Sequence, residues 1–437
     1  MTLQPPLPDP AAEFAPTGTI SATAPLVGEA PASPPPTKRT LPGILMVALA
    51  LFGTYGGLIA ILLPLQIAII DEPNKIANLA FVSTISFVFT LFVQPIVGAV
   101  SDRTRSRFGR RAPWMVGGAL IGGILMLGMG YLDSIVWIAV FWVMIQVALN
   151  AIQGPLSAIT PDRFPRSKRG AASAMFGIGM QIGGTLGVMV AGQFAENFGM
   201  GYSVFGVTVI AVTLIYVLVD RDWSSKQATV APWNWKTFLA GFWVNPRRHP
   251  DFAWAFTARF LLMLGYFVVA AFNFYILTDY IGMTLVEATG AVVSLTLVAF
   301  VPTLLAIAVS GWWSDRVGRR KIFIYAASVI MAVSLVMPLI MPNMTGMILL
   351  NIISGVGFGL YMAVDAALMT EVLPGGGVAA AKDLGILNIA TNIPQAMSAA
   401  VAGLIITWLG GYPMLFVFGI VFIVLAALAT IPIKSVR

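Results

Sequence analysis

The sequence predicts an all-α membrane protein whose twelve transmembrane helices form two similar six-helix halves. Three observations carry that prediction. The 437-residue chain is 58% hydrophobic and only 10% charged, with a mean hydropathy of +0.89, whereas a soluble domain carries about 25% charged residues. Twelve apolar runs are each long enough to cross a bilayer, which takes about 20 residues as a helix; the helix is also the form that satisfies its own backbone in lipid. Finally, a charged loop built on Gly, Asp and Arg occurs twice, starting at Gly98 and at Gly311.

Residues 1–40 hold ten prolines among Ala, Ser and Thr. They show no periodicity and predict a disordered tail. No cleavable signal is expected, because early basic residues are lacking and the first apolar run begins only near Leu41. The runs lie near 43–69, 78–100, 114–132, 134–160, 170–193, 202–220, 252–280, 287–312, 322–341, 346–369, 384–407 and 412–433. They group into a first bundle over 41–220, a linker over 221–251, and a second bundle with a short tail over 252–437. Within the linker, residues 231–243 interleave aromatic and polar residues and suit an amphipathic helix lying at the membrane surface.

The positions of Lys and Arg orient the chain. Alternate loops and both tails carry 23 of them, against Lys75 alone on the other side and Arg259 inside a span. Basic residues stay in the cytoplasm, so both termini are expected there, in a multi-pass protein of the cytoplasmic membrane. The lipid bilayer therefore accounts for the net charge of +7, and no nucleic-acid partner is implied. There is no Cys and one His, His249, which leaves no thiolate metal site and little for a His-based triad. No phosphate-cradling glycine loop or paired catalytic carboxylates stand out. The chain reads as a non-enzyme without metal or cofactor.

The internal repeat runs beyond the charged loop. Pro165 and Pro374 follow the fourth and tenth runs, and Ala191-Gly192 matches Ala402-Gly403, all near the 213-residue offset of Gly98 and Gly311. Two halves running in the same direction follow. Gly98, Asp102, Arg103, Gly109, Arg110 and Arg111 in the first copy, and Gly311, Asp315, Arg316, Gly318, Arg319 and Arg320 in the second, resemble the signature loop of the major facilitator superfamily. The form of the first copy resembles the branch containing sucrose transporters and glycoside-pentoside-hexuronide symporters. This resemblance implies a secondary carrier with alternating access, working as a monomer. Physics gives the loop a gating role: the glycines would admit a close helix, and the arginines could pair with acids such as Asp162 and Glu371.

Polar residues at helical spacing predict the path. The fourth run carries Gln146, Asn150 and Gln153; the seventh Tyr266 and Asn273; the tenth Asn351, Ser354 and Tyr361; the eleventh Asn388, Asn392 and Gln395. Such stripes are costly against lipid and should face inward, lining a wet cavity suited to a polyhydroxylated substrate. Inter-helix hydrogen bonding is the competing explanation. Arg259 and Asp365 lie at similar depth with opposite sign, a candidate pair for proton coupling or a permanent ion pair. The sucrose carriers place Asp where Gln146 stands and Arg where Ser157 stands, so any coupling group must lie elsewhere. A sugar or glycoside, moved with a proton, is the expected small-molecule substrate. An exporter of apolar compounds and a non-transporting sensor are the alternatives.

Overall fold

A computed structural model describes residues 34–226, 246–317, 320–372 and 380–433. Twelve long helices follow in order: α1 (Thr40–Ile70), α2 (Lys75–Arg103), α3 (Ala112–Met129), α4 (Ile135–Arg163), α5 (Arg169–Gly192), α6 (Phe198–Val219), α7 (Pro250–Ala270), α8 (Leu285–Val317), α9 (Arg320–Ile340), α10 (Met344–Val372), α11 (Ala380–Trp408) and α12 (Tyr412–Thr430). Eleven are long and apolar enough, over their described residues, to cross a membrane. The protein is a multi-pass membrane protein. Most of the 1–40 tail, and the 231–243 segment expected to be amphipathic, lie outside the described residues.

The packing is twofold. In the first half α1 packs on α5 and α6, α2 and α3 on α4, and α3 on α6. In the second, α7 packs on α11 and α12, α8 and α9 on α10, and α9 on α12. Each pair recurs six helices later. The halves meet most broadly through α2 with α11 and α5 with α8, again a symmetric set. The described ends of the chain, with Pro34 held by Arg163 and Ile433 by Lys321, share one face with the flanks of the two charged loops, here called the basic face.

Two departures from uniform helix sit at related places. α1 widens into a π turn at Leu58–Leu62, just before Pro64. Proline cannot donate to the helix ladder, and its ring crowds the carbonyl one turn back; a π turn absorbs that conflict. The seventh run was expected to be continuous. It breaks after Ala270, where Phe272 leaves helical geometry (φ −114°, ψ 17°), and resumes as Asn273–Tyr275 and a second π turn at Ile276–Tyr280. No proline marks that break, which is why the apolar pattern did not reveal it.

The closest helix approach is not at the expected glycines. A Cβ on Gly98 or Gly311 would meet nothing within 4 Å, so neither position requires glycine for close packing in this conformation. Close approach falls between α1 and α5, where a Cβ on Gly187 would lie 1.8 Å from the Gly53 carbonyl oxygen. Small residues let two backbones touch where lipid supplies no hydrophobic drive. Gly187→Leu should therefore push α1 off α5, at a cost on the order of 2 kcal/mol. Thermal unfolding of the purified protein should show a lowered Tm; an unchanged Tm would contradict this packing.

Candidate functional site

Between the halves lies a cavity of about 570 Å³, within the size range of about 300–1,000 Å³ that holds a drug-sized ligand. Its first-half wall comes from α1 and α5, with Phe52, Tyr55, Gln181 and Thr185. The second half supplies more polar groups: Tyr266, Asn273, Thr296, Thr303, Ser334, Asn351, Ser354 and Gln395. Aromatic faces complete it, with Tyr266 stacked on Phe358 at 4.5 Å and 17°. None of the described lining residues carries a charge.

Of the nine residues expected to bind substrate, the structure places Tyr266, Asn273 and Gln395 on this cavity. Gln146, Asn150, Gln153, Tyr361 and Asn392 are not among its lining residues, and the side chain of Asn388 lies outside the described residues. The α4 stripe turns into its own half instead. Gln146 and Asn150 are buried, and Asn150 Nδ2 donates to the Tyr55 hydroxyl at 3.2 Å and to the Gln146 carbonyl at 2.8 Å. Asn150 thus orients a cavity-lining phenol from behind. Asn392 Nδ2 donates to Gln94 Oε1 at 3.1 Å, joining α11 to α2 across the halves. The sequence reading missed Tyr55, alone on α1, and Gln181 and Thr185, a pair one turn apart on α5 too short to register as a stripe.

Arg259 and Asp365 are brought together at 2.8 Å in a separate small pocket of the second half. Tyr361 donates to the other carboxylate oxygen at 2.7 Å, and Arg259 Nε donates to Thr391 at 3.1 Å. Thr391 is the chain neighbour of Asn392, so the buried pair stands one residue from a bond between the halves.

On the basic face, Asp102 pairs with Arg111, and Asp162 accepts from Arg110 and Arg111 at 2.9 Å each. Arg111 also donates to Ser101 at 2.6 Å. These pairs, with Asp162 among the acids expected for the loop arginines, tie α2, the following loop and α4 together within one half. Gly109 has φ +86°, the left-handed region that glycine suits, and Asp222 packs over the place a side chain would fill. Burial pushes the Asp222 carboxyl above the usual carboxylate range, opposed by the Trp223 N–H and Arg163. In the second copy, Gly318, Arg319 and the side chains of Asp315 and Glu371 lie outside the described residues, while Arg103, Arg316 and Arg320 each have partners.

The opposite face is closed. Lys75 binds Asp279 at 2.7 Å, and the same carboxylate accepts from Tyr412 at 2.6 Å and Thr278 at 2.8 Å. Tyr275 donates to the Pro64 carbonyl at 2.9 Å, and the Lys75 ammonium lies 5.5 Å from the Tyr275 ring. These contacts bolt α2 and α1 of one half to the end of the broken seventh span remote from the basic face.

The major facilitator superfamily profile matches residues 43–301 and 286–436. The chain belongs to the Major Facilitator Superfamily. Two solved members of comparable fold are a bacterial homolog of the human lysosomal transporter Spinster, inward-facing and unoccupied, and the nucleoside transporter NupG. The first has a TM-score of 0.69 at 16% identity, covering 90% of this chain and 97% of that one. The second has a TM-score of 0.72 at 14% identity, covering 90% and 99%. Sequence relatives match in part. A sucrose transport protein of Arabidopsis thaliana is 34% identical over 116 residues, 22% of this chain and 22% of its own length. An uncharacterized symporter of Synechocystis sp. is 26% identical over 148 residues, 30% of this chain and 27% of its own. The matched regions span less than a third of either relative. The superfamily match sets a carrier's architecture around the cavity, not an enzyme's.

If the Lys75–Asp279 bond holds this facilitator's side opposite the basic face shut, removing it should shift the population toward opening on that side. The chain has no Cys, so Ala60→Cys on the cavity wall gives a single reporter. Added Lys75→Ala should raise its labelling rate from the opposite face about tenfold, the effect of roughly 1.4 kcal/mol. An unchanged rate would mean that the bond does not hold the closure.

Proposed function

We propose that this protein is a secondary active carrier that moves a sugar or glycoside across the cytoplasmic membrane by alternating access, with a proton as the coupling ion. The observation that carries the proposal is the uncharged cavity between the two halves, lined by amides, hydroxyls and aromatic rings and shut on one side. A sugar offers the matching surfaces: hydroxyls for the amides and a C–H face for the rings. The sucrose transport relative supports the same substrate class. The strong bias of Lys and Arg to the basic face puts that face, and both termini, in the cytoplasm. The closed side is then extracytoplasmic. The carrier works as a monomer, with the lipid bilayer as its only standing partner.

In the working cycle, substrate is bound by Tyr266, Asn273 and Gln395, with Tyr55 held by Asn150. The two charged loops brace the cytoplasmic ends of α2 and α8 as each half tilts. Coupling rests on the buried Arg259–Asp365 pair. A proton taken by Asp365 removes the charge that holds Arg259, and the guanidinium is then free to release Thr391. Releasing Thr391 frees α11, and with it the Asn392–Gln94 bond between the halves. The aromatic share of the lining favours a second reading, an exporter of lipophilic compounds.

Counterflow of a sugar panel in proteoliposomes, with and without an imposed pH gradient, tests the proposal. A member of the panel should exchange, and a gradient should drive its accumulation. No exchange across the panel would contradict the substrate class. Asp365→Asn keeps the hydrogen bond from Tyr361 but cannot cycle a proton. It should exchange sugar at near the native rate while accumulation is lost; persistent accumulation would remove Asp365 from the coupling step.

A further inference from the structure

Four aliphatic hydroxyls of the cavity wall have already spent their protons. Thr296 donates to the Val292 carbonyl, Thr303 to Ala299 and Ser334 to Met331, each at 2.7 Å, and Thr185 donates to Gln181 at 3.2 Å. In a membrane-embedded helix such bonds meet little competition from water. Each oxygen therefore presents lone pairs to the cavity, as an acceptor. The donors left to a ligand are neutral, chiefly the amides of Gln181, Asn273 and Gln395 and the phenols of Tyr55 and Tyr266. Among the described residues no cation lines the space, and Arg259 is held by Asp365 in a separate pocket.

We infer that the cavity selects uncharged, hydroxyl-rich solutes and rejects their anionic counterparts, uronates and phosphorylated sugars. This rests on the reading of the cavity as the substrate site. A sugar hydroxyl both donates and accepts, so it can satisfy the committed oxygens and the free amides together. A carboxylate or phosphate only accepts. It would set its oxygens against the wall's lone pairs, in a site of low dielectric with nothing to neutralise it. The stacked Tyr266 and Phe358 add an apolar face that a sugar's C–H surface can cover. Discrimination thus arises from which end of each hydrogen bond the wall has kept.

Full-length protein in proteoliposomes tests this with matched pairs differing only at one carbon: 4-nitrophenyl β-glucoside against its glucuronide, and the galactoside against its galacturonide. The neutral member of a pair should exchange or compete, with the uronide at least about 100-fold weaker. Equal potency would overturn the inference and leave the sugar-carrier reading standing. If no sugar exchanges and tetraphenylphosphonium is moved instead, the carrier reading falls and the inference with it. Thr303→Val keeps the branched shape and removes the oxygen. It should weaken the neutral glycoside about tenfold, and Thr303→Ser should restore it. A Thr303→Val protein with native affinity would overturn the role given to the committed hydroxyls.

Discussion

Inside a bilayer a polar side chain has no water to fall back on and must find its partner in the protein. That constraint shapes this molecule more than any other. Where polar groups pair within one half, as Asn150 with Tyr55 and Arg259 with Asp365, they lock the half as a unit. Where they pair across the halves, as Lys75 with Asp279 and Asn392 with Gln94, they decide which side of the cavity is shut. The halves meet chiefly along two seams, α2 with α11 and α5 with α8, and few polar bonds cross between the halves among the described residues. A seam made of few polar bonds can be exchanged for another at modest cost, which is what alternating access requires.

The two π turns sit on the same mechanical line. They interrupt the first and seventh spans near the closed face, beside Pro64 and Tyr275, whose hydrogen bond joins the halves. A widened turn has weakened backbone bonding and bends more readily than regular helix. The bolt at the closed face is thus mounted on the most compliant parts of its two helices. The basic face is built the opposite way. Arg163 and Asp220, both buried, form a paired bond at 2.7 and 3.0 Å, and Arg163 also donates to the Pro34 carbonyl at 3.2 Å. With Asp162 holding Arg110 and Arg111, that end of the first half is rigid.

The fold was legible because its causes are local. Apolar length gives spans, and the repeated Gly–Asp–Arg loop gives the duplication. The pairing of Arg259 with Asp365 was legible from depth and sign, since an isolated charge in lipid needs a counter-charge. The cavity wall was only partly legible. A polar stripe says that a face turns inward, but not whether inward means the core of one half or the gap between two. Tyr266 and Asn273 face the gap, while Gln146 and Asn150 face the core of the first half. On the first-half side, Tyr55 stands singly on α1 and Gln181 and Thr185 are a pair one turn apart on α5, too short a pattern for periodicity to register. The break after Ala270 was equally silent, because its residues remain apolar.

The central claim is that the two halves tilt as bodies about a cavity whose sides open in turn. Spin-label pairs across the halves measure this directly, at Glu72 and Val286 on the closed face and at Lys168 and Val317 on the basic face, all exposed. Distances taken by electron–electron double resonance, with and without a transported solute, should change in opposite senses. The closed-face pair should lengthen as the basic-face pair shortens. Two distances that stay fixed, or that lengthen together, would contradict the account.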